Sequence, residues 1–407
     1  MAAALPDLTD PNSFAHGFPH AAFAELRQRA PPYWHEATPH TPDGEGFWVL
    51  SRHADCAAVL RNPARYSSQT GGHRTGGGTG LRDERTVGTL LNMTDDPAHR
   101  RLRSLISKGF TPKALAALVP RLETVINTAL DGLPADQPFD AMTHIAGAVP
   151  LAAIAGLLGV DTRVARDLME AIDKDLSDGS GRIIGRTGRQ RVKAAAQSLI
   201  TERRRHPGDD VFSAALQARF EDDGSSLRDD ELIAFFALLF PAGAETTRSA
   251  IGQALFHFAQ DPDCWNQLAT DDASIRCAVE EIVRWATPSI YKRRTVTEDH
   301  EWYGETLRAG DKITIWEPSA NRDGAVFDAP DRFDLERWPN HHLGFGAGVH
   351  FCLGASLARL EIGTLLRVLK DRNAHFELCG PPTYRPSTRL LGFSQLPLRM
   401  SPGLRPG

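Results

Sequence analysis

Cys352 lies in LGFGAGVHFCLGASLARLE, residues 343–361, where a glycine-rich turn runs into a helix-forming segment. Phe345, Gly346, Gly348, His350, Cys352 and Gly354 come first, and ASLARLEIGTLLRVL follows. A thiol just ahead of a helix N-terminus meets free amides and the positive end of the helix dipole, which favour the thiolate. Glycines let the backbone pass close to a flat ligand and aim amides at sulfur. Phe345 and Phe351 would shield the site from water. A shielded thiolate with close, flat access fits haem iron. A nucleophilic cysteine and an inert buried cysteine are the two other readings of the same residues.

Three further groups could do chemistry or hold it in place. Thr246 and Glu245 sit in the middle of LRDDELIAFFALLFPAGAETTRSAIGQALFHFAQDP, residues 227–262, the longest helical pattern in the chain. Asp229 is the expected N-cap. A helix from 229 to 259 would run about 45 Å and cross a whole domain. Pro241 removes a backbone donor and should kink it, Gly243 weakens it, and the Thr246 hydroxyl can bond back to the Ala242 carbonyl. Damage at the centre of a buried helix points to function. In CAVEEIVRW, Glu281 and Arg284 are i,i+3 neighbours in an apolar setting, which predicts a buried ion pair. In DPAHRRLRSLISKGF, His99 and Arg103 share one helix face.

The elements around these groups read mostly as helix. HAAFAELRQRA (20–30), ALAALVPRLETVINTALDGL (114–133) and RQRVKAAAQSLITERRRH (189–206) carry helical apolar spacing. HIAGAVPLAAIAGLLGV (144–160) is apolar but too short for a membrane span, so a buried helix is expected. Strands are expected at 46–51 and in a hairpin or small sheet over 295–316. Two glycine-rich stretches, 67–84 and 177–188, read as mobile loops. The first lacks the GK[ST] ending of a phosphate loop.

The 407 residues carry a net charge of -5, which argues against a nucleic-acid surface. Five scattered cysteines without a CxxC pair argue against a disulfide framework or structural zinc. With no secretory signal or apolar span in view, a cytoplasmic protein that uses no membrane is expected.

FGAGVHFCLG (345–354) resembles the haem-binding signature of the cytochrome P-450 family. AGAETT (242–247) resembles that family's oxygen-activation motif. EEIVR (280–284) contains its ExxR, and RFDLERW (332–338) resembles the following meander, with Arg337 completing a Glu-Arg-Arg set. Four motifs in register, over about residues 10–400, make the resemblance specific. It implies a mainly α fold with small β-sheets (α+β), a triangular helical prism with the long helix over the haem. It also implies one domain over 1–407, β-rich at about 1–66 and 295–316, with lid segments at 67–91 and 177–188.

The resemblance makes Cys352 the axial ligand of heme b iron. His99, Arg103, Arg294 and His350 become propionate ligands, with Arg293 the alternative to Arg294. Phe345, Gly346, Gly348, Gly354, Ala242 and Gly243 become cofactor contacts, Gly243 leaving room for oxygen. Thr246 would hold a water by a hydrogen bond and Glu245 would relay protons. The implied reaction inserts one atom of O2 into a bulky lipophilic substrate, sterol- or terpenoid-like. By family position the pocket takes Leu238, Leu239, Ile290, Leu391 and Phe393, with Ser289, Tyr291 and Ser394 as orienting groups. The chain has no flavin or iron–sulfur segment, so electrons would come from NAD(P)H through a separate ferredoxin or flavodoxin and its reductase. Arg100, Arg101 and Lys108 are the expected docking patch of a monomeric enzyme. A tailoring oxidase of antibiotic biosynthesis, a peroxide-driven haem-thiolate enzyme and a haem-based sensor are the competing readings.

Overall fold

The structure, a computed structural model, describes residues 5–29, 32–84, 87–107, 109–176 and 185–402. The helices are α1 (His20–Gln28), α2 (His53–Arg61), α3 (Ala98–Ser107), α4 (Pro112–Ala116), α5 (Val119–Asp131), α6 (Ala148–Leu158), α7 (Thr162–Leu176), α8 (Arg186–Arg205), α9 (Val211–Gln217), α10 (Asp229–Gln260), α11 (Pro262–Gln267), α12 (Asp272–Ala286), α13 (Glu317–Ala320) and α14 (Ala355–Asp371). The strands are β1 (Tyr33–His35), β2 (Phe47–Leu50), β3 (Tyr66–Ser67), β4 (Phe139–Asp140), β5 (Lys292–Val296), β6 (His300–Trp302), β7 (Glu305–Leu307), β8 (Lys312–Ile315), β9 (Ala374–Leu378), β10 (Thr383–Tyr384), β11 (Phe393–Gln395) and β12 (Pro397–Pro402).

α10 is the axis. At 1.5 Å per residue its 32 residues span about 48 Å, and it packs against α6, α8, α12 and α14. Leu232, Phe235, Phe236, Phe240, Ala244, Ala250, Ile251, Leu255 and Phe258 bury most of its surface in one core. Its N-cap is Arg228, whose amide donates to Glu231 Oε2 at 2.8 Å, and Asp229 is the first helical residue rather than the cap. The helix runs through Pro241 without ending. The proline costs one backbone bond, while buried Phe240 and Ala244 on either side keep the chain helical.

Short sheets flank the helices. The largest has the order β1-β2-β8-β5-β3, with β2 parallel to β8 and the other pairs antiparallel. Residues 295–316 supply the β6–β7 hairpin, turned by Tyr303 and Gly304, and the inner strand β8, as the sequence pattern predicts. The apolar 144–160 segment forms a π-helical turn (Met142–Ala146) and then α6, whose buried side is nearly continuous. No helix among the described residues is long and apolar enough to cross a membrane.

The glycine-rich 67–84 stretch is not the free lid its composition suggests. Arg74 donates to the Gly310 carbonyl at 2.5 Å and to Asp83 at 2.6 Å, and pairs with Glu45. Thr70 donates to the carbonyls of Arg74 and Gly76. A side chain at Gly77 would collide with the Gln69 carbonyl. Gly72 and Gly77 permit close backbone packing there. Of the second expected lid, residues 177–184 lie outside the described residues and 186–188 open α8.

Candidate active site

Gly354 caps α14, and a short 3-10 turn, Gly348–His350, precedes Cys352. The Cys352 amide donates to the Phe345 carbonyl at 2.9 Å and the Gly346 amide to Leu343 at 2.7 Å, which ties the loop to itself. Gly346 and Gly348 hold φ of 72° and 70°, where a β-carbon is strained, and one at Gly348 would strike the Leu60 carbonyl at the end of α2. Cys352 is exposed in a loop enclosed by backbone contacts. Burial pushes the thiol above its ordinary value, against weaker pulls from the Gly354 amide, Lys292 and Arg103. The expected lowering by the helix terminus therefore does not win in the polypeptide alone, and a coordinating metal would have to drive deprotonation.

A cation clamps the loop from the side. The Arg359 guanidinium lies 4.5 Å from the centre of the Phe345 ring and binds Glu280 at 2.6 and 2.9 Å. Glu280 also meets His342 Nε2 at 3.0 Å. Burial pushes the Glu280 carboxyl up, but these bonds outweigh it and hold it at about 2. Sequence reasoning missed this trio, because nothing in the motif signals which surface arginine folds onto Phe345.

Four nitrogen-bearing side chains gather near the cysteine loop. α3 supplies His99 and Arg103, β5 supplies Arg294 and the 3-10 turn supplies His350. The two imidazoles stack with centroids 4.2 Å apart. His99 Nδ1 is 3.5 Å from Asp96. The Nε2 atoms of His99 and His350 are both buried without a hydrogen-bond partner. Arg294 is 3% exposed and donates to the Arg293 carbonyl at 2.9 Å. Arg103 donates to the Phe351 carbonyl at 2.7 Å. Burial, then Arg294, His99 and Arg103, push His350 down to about 3. Burial likewise brings Arg294 down to about 10. Two guanidiniums beside two neutral imidazoles, with ring nitrogens left over, are a receptor for anions. The two carboxylates of a haem fit that description. Arg293 points to the other face of β5, where it pairs with Asp83 at 2.5 Å. Arg294 is therefore the arginine in this cluster.

On α10, Leu238, Ala242 and Thr246 fall at i, i+4 and i+8 on one face. Ala242 is exposed in the middle of an otherwise buried helix, and the Thr246 hydroxyl donates to its carbonyl at 2.8 Å. Gly243 does not belong to this face. A β-carbon there would sit 2.8 Å from Ile154, so the glycine serves the close crossing of α10 with α6. Glu245 is held by arginines. It is 2% exposed and bound by Arg248 at 3.3 Å and Arg385 at 3.0 Å, and both arginines also bind Asp173. Two carboxylates and two guanidiniums offset one another there, beside a small cleft that Glu245, Arg248 and Arg385 line with Leu391 and Phe393.

Glu281 and Arg284 form the predicted buried pair, both 0% exposed, at 2.7 Å. Arg337 joins at 3.2 Å. Arg284 also donates to the carbonyls of Asn321, Pro330 and Arg332, and Glu281 accepts from the Asp334 amide and Asn340.

The expected pocket residues separate. Leu238 stays on the open face, while Leu239 packs against the core. Ile290 is fully buried in the cluster around Phe14, Phe23 and Trp316, against which half-buried Leu391 packs. Phe393 is buried against Phe256 and Tyr384. Ile290 is covered by its neighbours, whereas Phe393 and Leu391 line a small cleft together with Glu245, Arg248 and Arg385. Ser289 bridges to Leu390 through the backbone, Ser394 donates to the Thr383 carbonyl, and Tyr291 accepts from the Leu81 amide. The docking patch is neutralised as well: Arg100 pairs with Asp96, and Arg101 with Asp222 and Asp223. Lys108 lies outside the described residues.

A family model described as cytochrome P450 matches residues 184–371. Cytochrome P450 126 of Mycobacterium tuberculosis is 43% identical over 404 residues, 98% of each chain. Linalool 8-monooxygenase of Pseudomonas putida is 31% identical over 98% of this chain and 99% of its own. Among solved structures, a Mycobacterium marinum cytochrome P450 in complex with pseudoionone is 33% identical with a TM-score of 0.85, over 98% of this chain and 100% of that one.

Proposed function

The chain belongs to the cytochrome P450 family of haem-thiolate monooxygenases, and we propose that it hydroxylates a lipophilic substrate, terpenoid- or sterol-like, with electrons from a separate ferredoxin or flavodoxin system. Haem b and O2 are the family's reagents. The bound haem supplies the oxidising chemistry, and this chain's residues bind and orient it and manage protons. Cys352 would hold the haem iron through its sulfur. His99, Arg103, Arg294 and His350 anchor the haem carboxylates, and the unpartnered Nε2 atoms of His99 and His350 are the observation that carries this reading. Phe345, clamped by Arg359, screens the sulfur on one side.

Thr246 takes the catalytic role at the open face of α10, where its hydroxyl can exchange the Ala242 carbonyl for a water. Glu245 can give or take a proton once Arg248 or Arg385 lets go of it. Glu281, Arg284 and Arg337 hold the meander beneath the cysteine loop. The apolar stripe of Leu238 and Ala242 favours hydrocarbon over charge at the reacting end. The linalool relative and the pseudoionone complex support acyclic or lightly cyclised terpenoids within the lipophilic class.

The test is spectral. The reduced carbon monoxide complex should show the red-shifted Soret band of thiolate haem, and Cys352→Ala should lose it. Terpenoids and steroids should shift the ferric haem from low to high spin. A response to small polar acids alone would overturn the substrate reading. Thr246→Ala should bind haem and substrate normally but yield less product per reductant consumed, and an unchanged ratio would remove Thr246 from proton management.

A further inference from the structure

β5 presents Lys292, Arg293 and Arg294 in succession, and residues two apart on a strand share a face. Lys292 therefore lies on the side of Arg294, while Arg293 turns to Asp83. Lys292 Nζ is ion-paired with Glu317 Oε2 at the start of α13. Glu317 is 0% exposed, and its other oxygen, Oε1, is buried without a hydrogen-bond partner. That oxygen borders the cysteine loop, since a β-carbon on Gly346 would lie 3.8 Å from it. Arg294 acts on Glu317 from the neighbouring strand position. A buried ion pair adds little net stability, so its place beside the one exposed thiol of the loop needs another account.

We propose that Lys292 and Glu317 are positioning residues that set the reduction potential of the cofactor held by Cys352. The proposal rests on the haem-thiolate reading above. Reduction adds one electron, delivered by a one-electron donor protein, to the iron and places one more negative charge at the centre. A cation nearby stabilises the reduced state and an anion opposes it, and a low local dielectric amplifies both. The same field acts on the carboxylate anchors His99, Arg103, Arg294 and His350, which remain unchanged in the variants below.

The experiment is a spectroelectrochemical titration of the haem-loaded full chain. Lys292→Met should lower the midpoint potential and Glu317→Gln should raise it, each by about tenfold in the reduction equilibrium, about 59 mV for one electron. The double variant should return close to wild type. Shifts of the same sign, or potentials unchanged in haem-loaded variants, would overturn the proposal, because a purely structural pair would cost stability without opposite electrochemical signs. Should Lys292→Met load no haem, Lys292→Arg should keep the wild-type potential and Lys292→Gln should lower it. Equal potentials for those two would be equally fatal. A wild-type carbon monoxide spectrum without the thiolate band would reject the underlying reading, whereas a thiolate band with unmoved potentials would reject this inference alone.

Discussion

Two buried charge clusters bear on the cysteine loop, and they are built on opposite terms. Around Glu281, Arg284 and Arg337 the charges meet partners: both carboxylate oxygens, backbone carbonyls from 321 to 332 and the Asp334 amide close the network. Around His99, Arg103, Arg294 and His350 two guanidiniums and two neutral imidazoles crowd one another and ring nitrogens are left over. A completed network stabilises the polypeptide by itself. An incomplete one makes the polypeptide worse until an anion arrives. Burial alone does not distinguish structure from binding; the balance of opposite charges around the buried groups does.

The largest effect should come from opening the closed network. Glu281→Ala or Arg284→Ala strands a buried charge at a cost of about 3–5 kcal/mol. Calorimetry and soluble yield of the haem-free protein should show that loss before any cofactor is added. An unchanged melting temperature would erase the distinction between the clusters. Next in size, Arg294→Met should act with the reverse sign on the haem-free protein, raising its melting temperature because an underpartnered buried charge is gone. It should speed haem transfer to apomyoglobin roughly ten- to hundredfold, the worth of about 1.5–3 kcal/mol for a charged hydrogen bond. A variant that is destabilised without haem would place Arg294 with the closed network.

Smaller tests come from buried groups that carry no charge. Burial brings His20 to about 3 and His257 to about 4, and His257 lies between the rings of Trp285 and Phe333. The unfolded chain takes up protons near 6.5 and the folded one does not. Stability should therefore fall as pH drops from about 6.5 toward 4, with a slope of about 1.4 kcal/mol per unit per histidine. His257→Phe should flatten the stability curve between those limits. A further test belongs to Glu361 on α14. It is 0% exposed, with both oxygens unbonded and the Thr247 hydroxyl as its polar neighbour. Burial raises its carboxyl well above the ordinary range. The folded protein keeps that proton where the unfolded chain has lost it, so stability falls as pH rises from about 4.3. Glu361→Gln should remove that decline, and a persistent decline in urea titrations across neutral pH would exonerate Glu361.

What the sequence by itself determined lies within single elements. The glycine loop around Cys352, the i,i+3 pair of Glu281 and Arg284, the shared face of His99 and Arg103, and the long helix over 229–260 all follow from local periodicity, sterics and helix geometry. The tertiary structure decided the rest. Gly243 faces α6 rather than the open side of α10, and the 67–84 glycines pack closely against neighbouring backbone. Ile290 is covered by the cluster around Phe14, Phe23 and Trp316. Glu245 finds Arg385 across 140 residues, and Lys292 finds Glu317 across a strand and a turn. The direction in which a side chain points around its element is readable from spacing. What it meets there depends on another segment folding onto it, and no local pattern carries the identity of that partner.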